Sequence, residues 1–197
     1  MSRADREKWD KKYIAKPQLL MPREPSAVLK KYVTLSEGTR ALDLACGAGR
    51  NSCYLAKRGY KVDAVDIAAV ALETLEKEAS SLDILENIEI KLEDLDHITP
   101  EVDTYSLIIM MNYLDRDLIA RTKVALKVGG CYIVETYMVD IDNEKENSNQ
   151  NNLLQPQELK EIFADGFEIV HYNEFENEKN EIYRMKKAVI VVKKLLE

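Results

Sequence analysis

The run LDLACGAGRNS, Leu42 to Ser52, joins an apolar strand pattern to a helical one through two glycines set two apart, Gly47 and Gly49. Glycine lacks a Cβ, so the backbone there can turn tightly and come close to a ligand. A helix start behind such a turn offers unpaired N–H groups to an electronegative atom. A bare turn, a dinucleotide site and a site for a different adenosyl cofactor all use this arrangement. The dinucleotide fingerprint G-x-G-x-x-G needs a third glycine, and that place is Ser52. Asp43, inside the strand four residues before Gly47, separates the alternatives further. A carboxylate there repels a pyrophosphate and attracts a cationic amino-acid moiety. The pattern favours a ligand made of adenosine and a positively charged amino acid, with no phosphate.

Two further acids stand where such a ligand needs them. Asp66, next to Ile67 in the run VDAVDI, lies 19 residues after Gly47. An acid at that strand end can accept from both ribose hydroxyls. A third strand pattern is followed by Glu93-Asp94-Leu95, where either acid can accept from the adenine exocyclic amine. Cys46 offers its backbone to the ligand. Arg50 and Asn51 fall in the first turn of the following helix, where a cation opposes the helix dipole. Arg50 therefore needs a partner, an acid or an anionic substrate.

These residues must be held by a framework, and the hydrophobic rhythm supplies one. Residues 3–16 form a polar helical pattern with a short stripe of Trp9, Tyr13 and Ile14. Pro17, Pro22 and Pro25 then hold an extended connector, and Ser26 is placed to cap a second helix ended by Gly38. From Arg40 onward, continuous apolar strands alternate with helices: strands over 41–45, 60–67, 88–92, 105–111 and 131–137, and helices over 52–57, 70–82 and 118–127, the last ended by Gly129-Gly130. That alternation predicts a doubly wound α/β fold with a parallel sheet covered on both faces. After the polar insertion 140–152, a helix over 157–164 is followed by two strands, 167–175 and 188–193, joined by a charged turn centred on Glu176 to Asn180. Two strands without an intervening helix predict an antiparallel hairpin at the sheet edge. The domain expectation is one unit, 1–197, with an N-terminal helical cap over 1–37 and a cofactor-binding core over 38–197.

Composition narrows the partners. The chain of 197 residues carries 28 basic and 35 acidic side chains, a net charge of −7, with no Lys/Arg run longer than two. This argues against nucleic acid as a partner. No stretch of about 18 apolar residues is present to span a membrane, and the charged N-terminal segment lacks the apolar core of a signal peptide. Cys46, Cys53 and Cys131 form no C-x-x-C pair, and His97 and His171 stand alone. The expectation is reduced thiols in a cytoplasmic protein with no metal site.

The residues Asp43-Leu-Ala-Cys-Gly47-Ala-Gly49, then Asp66, then Glu93-Asp94, resemble the class I S-adenosylmethionine-dependent methyltransferases. The family's first motif has three alternating glycines, and this chain carries Ala45 at the first. The stretch from Asp43 to Ala79, the entry KWDKKY followed by prolines, and LLQPQELKEIF with FEIVHYNE near the C-terminus are similar to the tellurite-resistance branch.

The resemblance implies a Rossmann-like, mostly parallel seven-stranded sheet with one antiparallel strand. It implies S-adenosylmethionine as cofactor and S-adenosylhomocysteine as product. The leading helix, with Trp9 and Tyr13, is implied to lie over the cofactor cleft. Cofactor contacts then fall to Trp9, Tyr13, Asp43, Ala45, Cys46, Gly47, Gly49, Asn51, Asp66, Ile67, Glu93, Asp94, Leu95 and Met111. Asn112 and Tyr113, closing the fourth strand, face the methyl group, and Arg184 is a cation for an oxyanion acceptor. The expected reaction is methyl transfer to a small molecule, a soft nucleophile or a metalloid oxyanion, by a monomer or homodimer. No residue stands out in the sequence as a general base. A non-catalytic regulator that binds S-adenosylmethionine and a nicotinamide-dependent oxidoreductase are the alternatives. The asparagine-rich segment 140–152 follows strand five on the ligand side, where it is either a lid over the acceptor or an inert surface loop.

Overall fold

A computed structural model describes residues 3–36, 38–145, 149–177 and 183–196. Seven strands form one open sheet: β1 (Arg40–Leu44), β2 (Lys61–Asp66), β3 (Ile88–Leu92), β4 (Tyr105–Met111), β5 (Leu126–Tyr137), β6 (Phe167–Glu176) and β7 (Lys186–Lys194), in the order β3-β2-β1-β4-β5-β7-β6. The first five run parallel, and β7 runs antiparallel to both β5 and β6. Chain direction across the sheet reverses between β1 and β4, and ligands bind beyond the strand ends at such a switch point.

The helices are α1 (Arg3–Ala15), α2 (Ala27–Tyr32), α3 (Arg50–Lys57), α4 (Ala69–Ser81), α5 (Arg116–Thr122) and α6 (Glu158–Ile162). One sheet face, with Ala41, Ile109, Ile133 and Val191, packs on Leu29 of α2, Leu55 of α3 and Leu75 of α4. The other, with Leu42, Ile108, Val134 and Val192, packs on Leu118 of α5 and Leu159 of α6. Both faces are covered, so β1, β2 and β4 read as unbroken apolar runs apart from a few acids and Ser106.

Four local expectations need correction. Gly129 and Gly130 lie inside β5 and do not end a helix. The α5 helix stops at Thr122, and a 3-10 turn at Lys123–Ala125 leads straight into the strand. Gly129, at φ +75°, sits opposite a register shift between Tyr105 and Leu107, so the two glycines accommodate a bulge that lets pairing begin at Leu126. Ser26 stands at the N-cap of α2 but makes no cap hydrogen bond. Its hydroxyl donates to Glu135 instead. Gly38 follows a 3-10 turn, Val33–Leu35, which takes over from α2 at Tyr32. The proline connector is extended only in part, since Pro17–Leu20 closes a 3-10 turn. The centre of the charged turn before β7, 178–182, lies outside the described residues, as does 146–148 of the asparagine-rich segment.

Candidate cofactor and active site

The loop after β1 is shaped by three consecutive demands. Ala45 adopts φ +56°, in the left-handed region where a methyl group is disfavoured. Cys46 N–H donates to Val65 O, which ties the loop to β2. Gly47, also at φ +56°, donates its N–H to Asp66 Oδ2 over 2.7 Å. A Cβ on Gly47 would meet the Tyr13 hydroxyl at 3.1 Å, so this glycine is where another side chain comes down on the loop. Gly49 serves a different purpose. Its Cβ would fall 2.1 Å from Leu75 Cδ1, so it lets α4 pack against the start of α3.

Two buried carboxylates flank the loop. Asp43 accepts from Ser52 Oγ at 2.6 Å. Burial pushes its carboxyl up to about 7, against the pull of the Ser52 hydrogen bond. Asp66 accepts from Gly47 N–H and, at 2.9 Å, from Ala68 N–H, and burial also raises its pKa. An ionised carboxylate has about four acceptor sites. Backbone N–H groups of Gly47, Ala68 and Ile67 hold the carboxylate in place, and its remaining acceptor capacity is what a ribose diol would use. Ile67 beside it is buried.

Beyond β3, Glu93 is exposed, and its backbone N–H pairs with Asp66 O. Asp94 is half-buried and accepts from Asp96 N–H at 2.9 Å. Its charge reaches the Tyr113 hydroxyl, as does that of Asp66. Of the two acids, Asp94 is the one whose charge bears on Tyr113. Leu95 is buried in the core and can offer the cleft only its main chain.

The α1 helix covers this end of the sheet. Asp10 Oδ1 accepts from Val70 N–H at 3.1 Å, at the start of α4, where no side chain of α4's own N-cap does so. Tyr13 lies within electrostatic reach of Asp66, Cys46 and Arg23, and burial raises its pKa. Trp9 packs at a tilt on Tyr13, ring centroids 6.1 Å apart, with Lys12 Nζ 3.9 Å from the Trp9 ring centre. Arg23 was not visible as a site residue in the sequence, where it is one cation among prolines. Arg23 is exposed, and its charge bears on Tyr13.

At the end of β4, Met111 is buried in the core and forms floor rather than lining. Asn112 is exposed at φ +58° and donates its N–H to Glu135 O at 2.7 Å. Asparagine is one of the few residues that enters this region readily. Tyr113 is half-buried, and burial with the charges of Asp115, Asp94, Asp66 and Asp5 raises its pKa. Asn51 turns away from the cleft's centre: its Oδ1 takes the Ser26 N–H at 2.9 Å. Arg184 stands apart at the start of β7, with Nε 3.8 Å from Glu144 Oε1 and Nη2 on Asp142 O. Its charge is already answered by the chain.

The cleft therefore gathers Tyr13, Asp43, the 45–47 backbone, Asp66, Asp94 and Tyr113, with the charge of Arg23 acting on Tyr13. It suits a ligand with a diol, an amine-bearing base and a zwitterionic amino acid. A family model described as tellurite resistance protein TehB matches residues 7–188. The chain belongs to the TehB family. Its fold is that of the class I S-adenosylmethionine-dependent methyltransferases. TehB from Haemophilus influenzae superposes with a TM-score of 0.73 at 24% identity, over 86% of this chain and 62% of that one, so the chain spans less than two thirds of that relative. A SAM-dependent methyltransferase from Methanosarcina mazei gives 0.69 at 20% identity, over 89% and 100%. Geranyl diphosphate C-methyltransferase from Streptomyces coelicolor, solved with S-adenosylhomocysteine, gives 0.68 at 14%, over 86% and 77%. No curated protein matches the sequence. Ala45 departs from the three-glycine motif, and the backbone there still takes the glycine-type φ of +56°.

Proposed function

We propose that the chain transfers the methyl group of S-adenosylmethionine to a small acceptor, a soft nucleophile or a metalloid oxyanion. The observation that carries this reading is the pair of buried carboxylates, Asp43 and Asp66, either side of a glycine loop. Asp43 pairs with the ligand's ammonium, Asp66 holds the ribose hydroxyls, and Asp94 takes the adenine amine. Arg23 answers the ligand carboxylate, and Tyr13 closes over the loop. When bound, the cofactor's sulfonium supplies an electrophilic methyl group. The protein's contribution is to hold acceptor and methyl in line and keep water out. Asn112 and Tyr113 form the acceptor side. Arg184, held by Glu144 and Asp142 away from the cleft, would reach an oxyanion acceptor only by leaving those partners.

A pyrophosphate beside Asp43 would be repelled, which disfavours the nicotinamide alternative. The regulator alternative predicts binding without turnover. The acid-rich cleft and the net charge support a small-molecule partner over nucleic acid. Among the described residues no helix is long and apolar enough to cross a membrane, and the three cysteines are free, which supports the cytoplasmic reading.

The test is thermal unfolding with S-adenosylmethionine, S-adenosylhomocysteine and NAD, with Asp66→Ala as control. A ligand at 100 times its Kd adds about 2.7 kcal/mol. Upward shifts with both adenosyl ligands, lost in the variant, are expected. A shift with NAD alone would overturn the reading.

A further inference from the structure

One buried charge pair belongs to no role above. Lys187 Nζ lies 3.5 Å from Glu135 Oε1, with side-chain exposures of 3% and 14%. Taking both charges out of water costs several kcal/mol per ion before their attraction offsets it. The pair sits where β5 and β7 meet the ligand edge of the sheet. Glu135 is the register partner of Met111, the last residue of β4, and its main chain holds the Asn112 turn.

The sheet's alternation sets the direction of the Glu135 side chain. Ile109 and Met111 of β4, Ile133 of β5 and Val189 of β7 pack into one core face, so Glu135 and Lys187 project from that face too. Asp43 pairs in register with Ile109 and shares the same face. Glu135 thus stands two strand spacings, about 10 Å, across from Asp43 and one residue pair nearer the ligand edge. Lys187 is sealed behind it, and Ser26 Oγ donates to its other oxygen at 3.4 Å. The carboxylate is held from two sides and keeps an open edge.

We propose that Glu135 is a catalytic residue on the acceptor side, a fixed carboxylate that takes the proton of a thiol acceptor during methyl transfer. This rests on the methyl-transfer reading. The acceptor's S–H bond breaks and its proton passes to a Glu135 oxygen. The sulfur electron pair forms the new S–C bond, and the pair of the broken sulfonium bond stays on the cofactor sulfur. The products are a methyl thioether, S-adenosylhomocysteine and a neutral Glu135 carboxyl. That carboxyl returns its proton to water through the open edge.

The experiment compares the full-length protein with Glu135→Gln on two probes at neutral pH: 2-mercaptoethanol, whose thiol is protonated, and 5-mercapto-2-nitrobenzoate, whose thiol is ionised. The expected result is a kcat/KM loss of at least about tenfold with the protonated thiol and less than about twofold with the ionised one. Equal losses, no loss, or no turnover of the protonated thiol by the unaltered protein would overturn the proposal. S-adenosylhomocysteine affinity, measured by calorimetry on the same samples, separates the two readings. Its absence in the unaltered protein sinks the methyl-transfer reading itself. If Glu135→Gln does not fold, Glu135→Gln with Lys187→Gln removes both charges together and is assayed in the same way.

Discussion

The hydroxyl of Ser52, in the first turn of α3, donates to the carboxylate of Asp43, inside β1, over 2.6 Å. Ser52 stands where a dinucleotide fingerprint has its third glycine. The side chain that breaks that fingerprint is the one that orients the acid.

This pairing predicts how stability and binding follow pH. The folded Asp43 carboxyl, at about 7, keeps a proton that its unfolded form, at the ordinary 3.8, has lost. The ligand-free protein therefore loses stability as pH rises between those values, and the slope ends above neutrality. Asp66, also raised, adds in the same direction. Binding of the ligand's ammonium needs Asp43 ionised. Affinity for S-adenosylhomocysteine should climb from about pH 6 to pH 7.5, then fall at higher pH as the ligand's own amine loses its proton. Asp43→Asn should flatten the climb, weaken binding, and raise the Tm of the ligand-free protein above pH 7. Calorimetry and melting curves across pH check each part.

Asp66→Asn should act mainly on binding. Each hydrogen bond to a charged group contributes about 1.5–3 kcal/mol. Weakening two of them lowers S-adenosylhomocysteine affinity by about a hundredfold or more. A calorimetric titration reads this directly, and an unchanged Kd would remove Asp66 from the ribose site.

The two left-handed positions at either end of the loop predict opposite effects. Gly49→Ala places a methyl group 2.1 Å from Leu75 Cδ1 at φ +77°. Overpacking and left-handed strain together cost about 2–4 kcal/mol, or about 5–15 °C in Tm for a chain of this size. Ala45→Gly relieves strain of about 1–2 kcal/mol and gives back about 0.5–1 kcal/mol in chain entropy. Its Tm should rise by up to about 4 °C with cofactor affinity unchanged.

The asparagine-rich segment has both stems fixed. Asn143 bonds Met138 O and Lys186 N–H, and Arg116 bonds Asn151 O and Leu153 O. Lys145 lies close enough to α1 to lower the Lys12 pKa. If the segment covers the acceptor, deletion of 144–151 raises the acceptor KM and leaves S-adenosylhomocysteine affinity alone. Unchanged kinetics would make it an inert loop.

Much of this was legible before any coordinate. Strands β3 and β4 fall within their predicted limits, because both are bounded by polar breaks and have no competing helical period. The placement of Asp43, Asp66 and Asp94 at the ends of the first three strands was legible because strand ends after apolar runs are easy to locate. What was hidden depended on contacts far apart in the chain. The role of Gly49 depends on Leu75, Asn51 is committed to Ser26, and Arg184 is answered by Glu144. Glu135 was passed over because an acid in an apolar strand carries no sign of the Lys187 that faces it 52 residues later. The double glycine misled for a related reason: a bulge and a helix stop use the same residue.

The strand order has a consequence for synthesis on the ribosome. The last strand to emerge, β7, takes an inner place, between β5 and β6. Until it arrives, β5 ends the nascent sheet with an open edge, and β6 has no neighbour to pair with. A nascent chain that has not reached Lys186 thus carries one open strand edge, on β5, and one unpaired strand, β6, the setting in which strands join those of other molecules. β7 completes the sheet from within, and a ribosome that stalls shortly before it holds a sticky product.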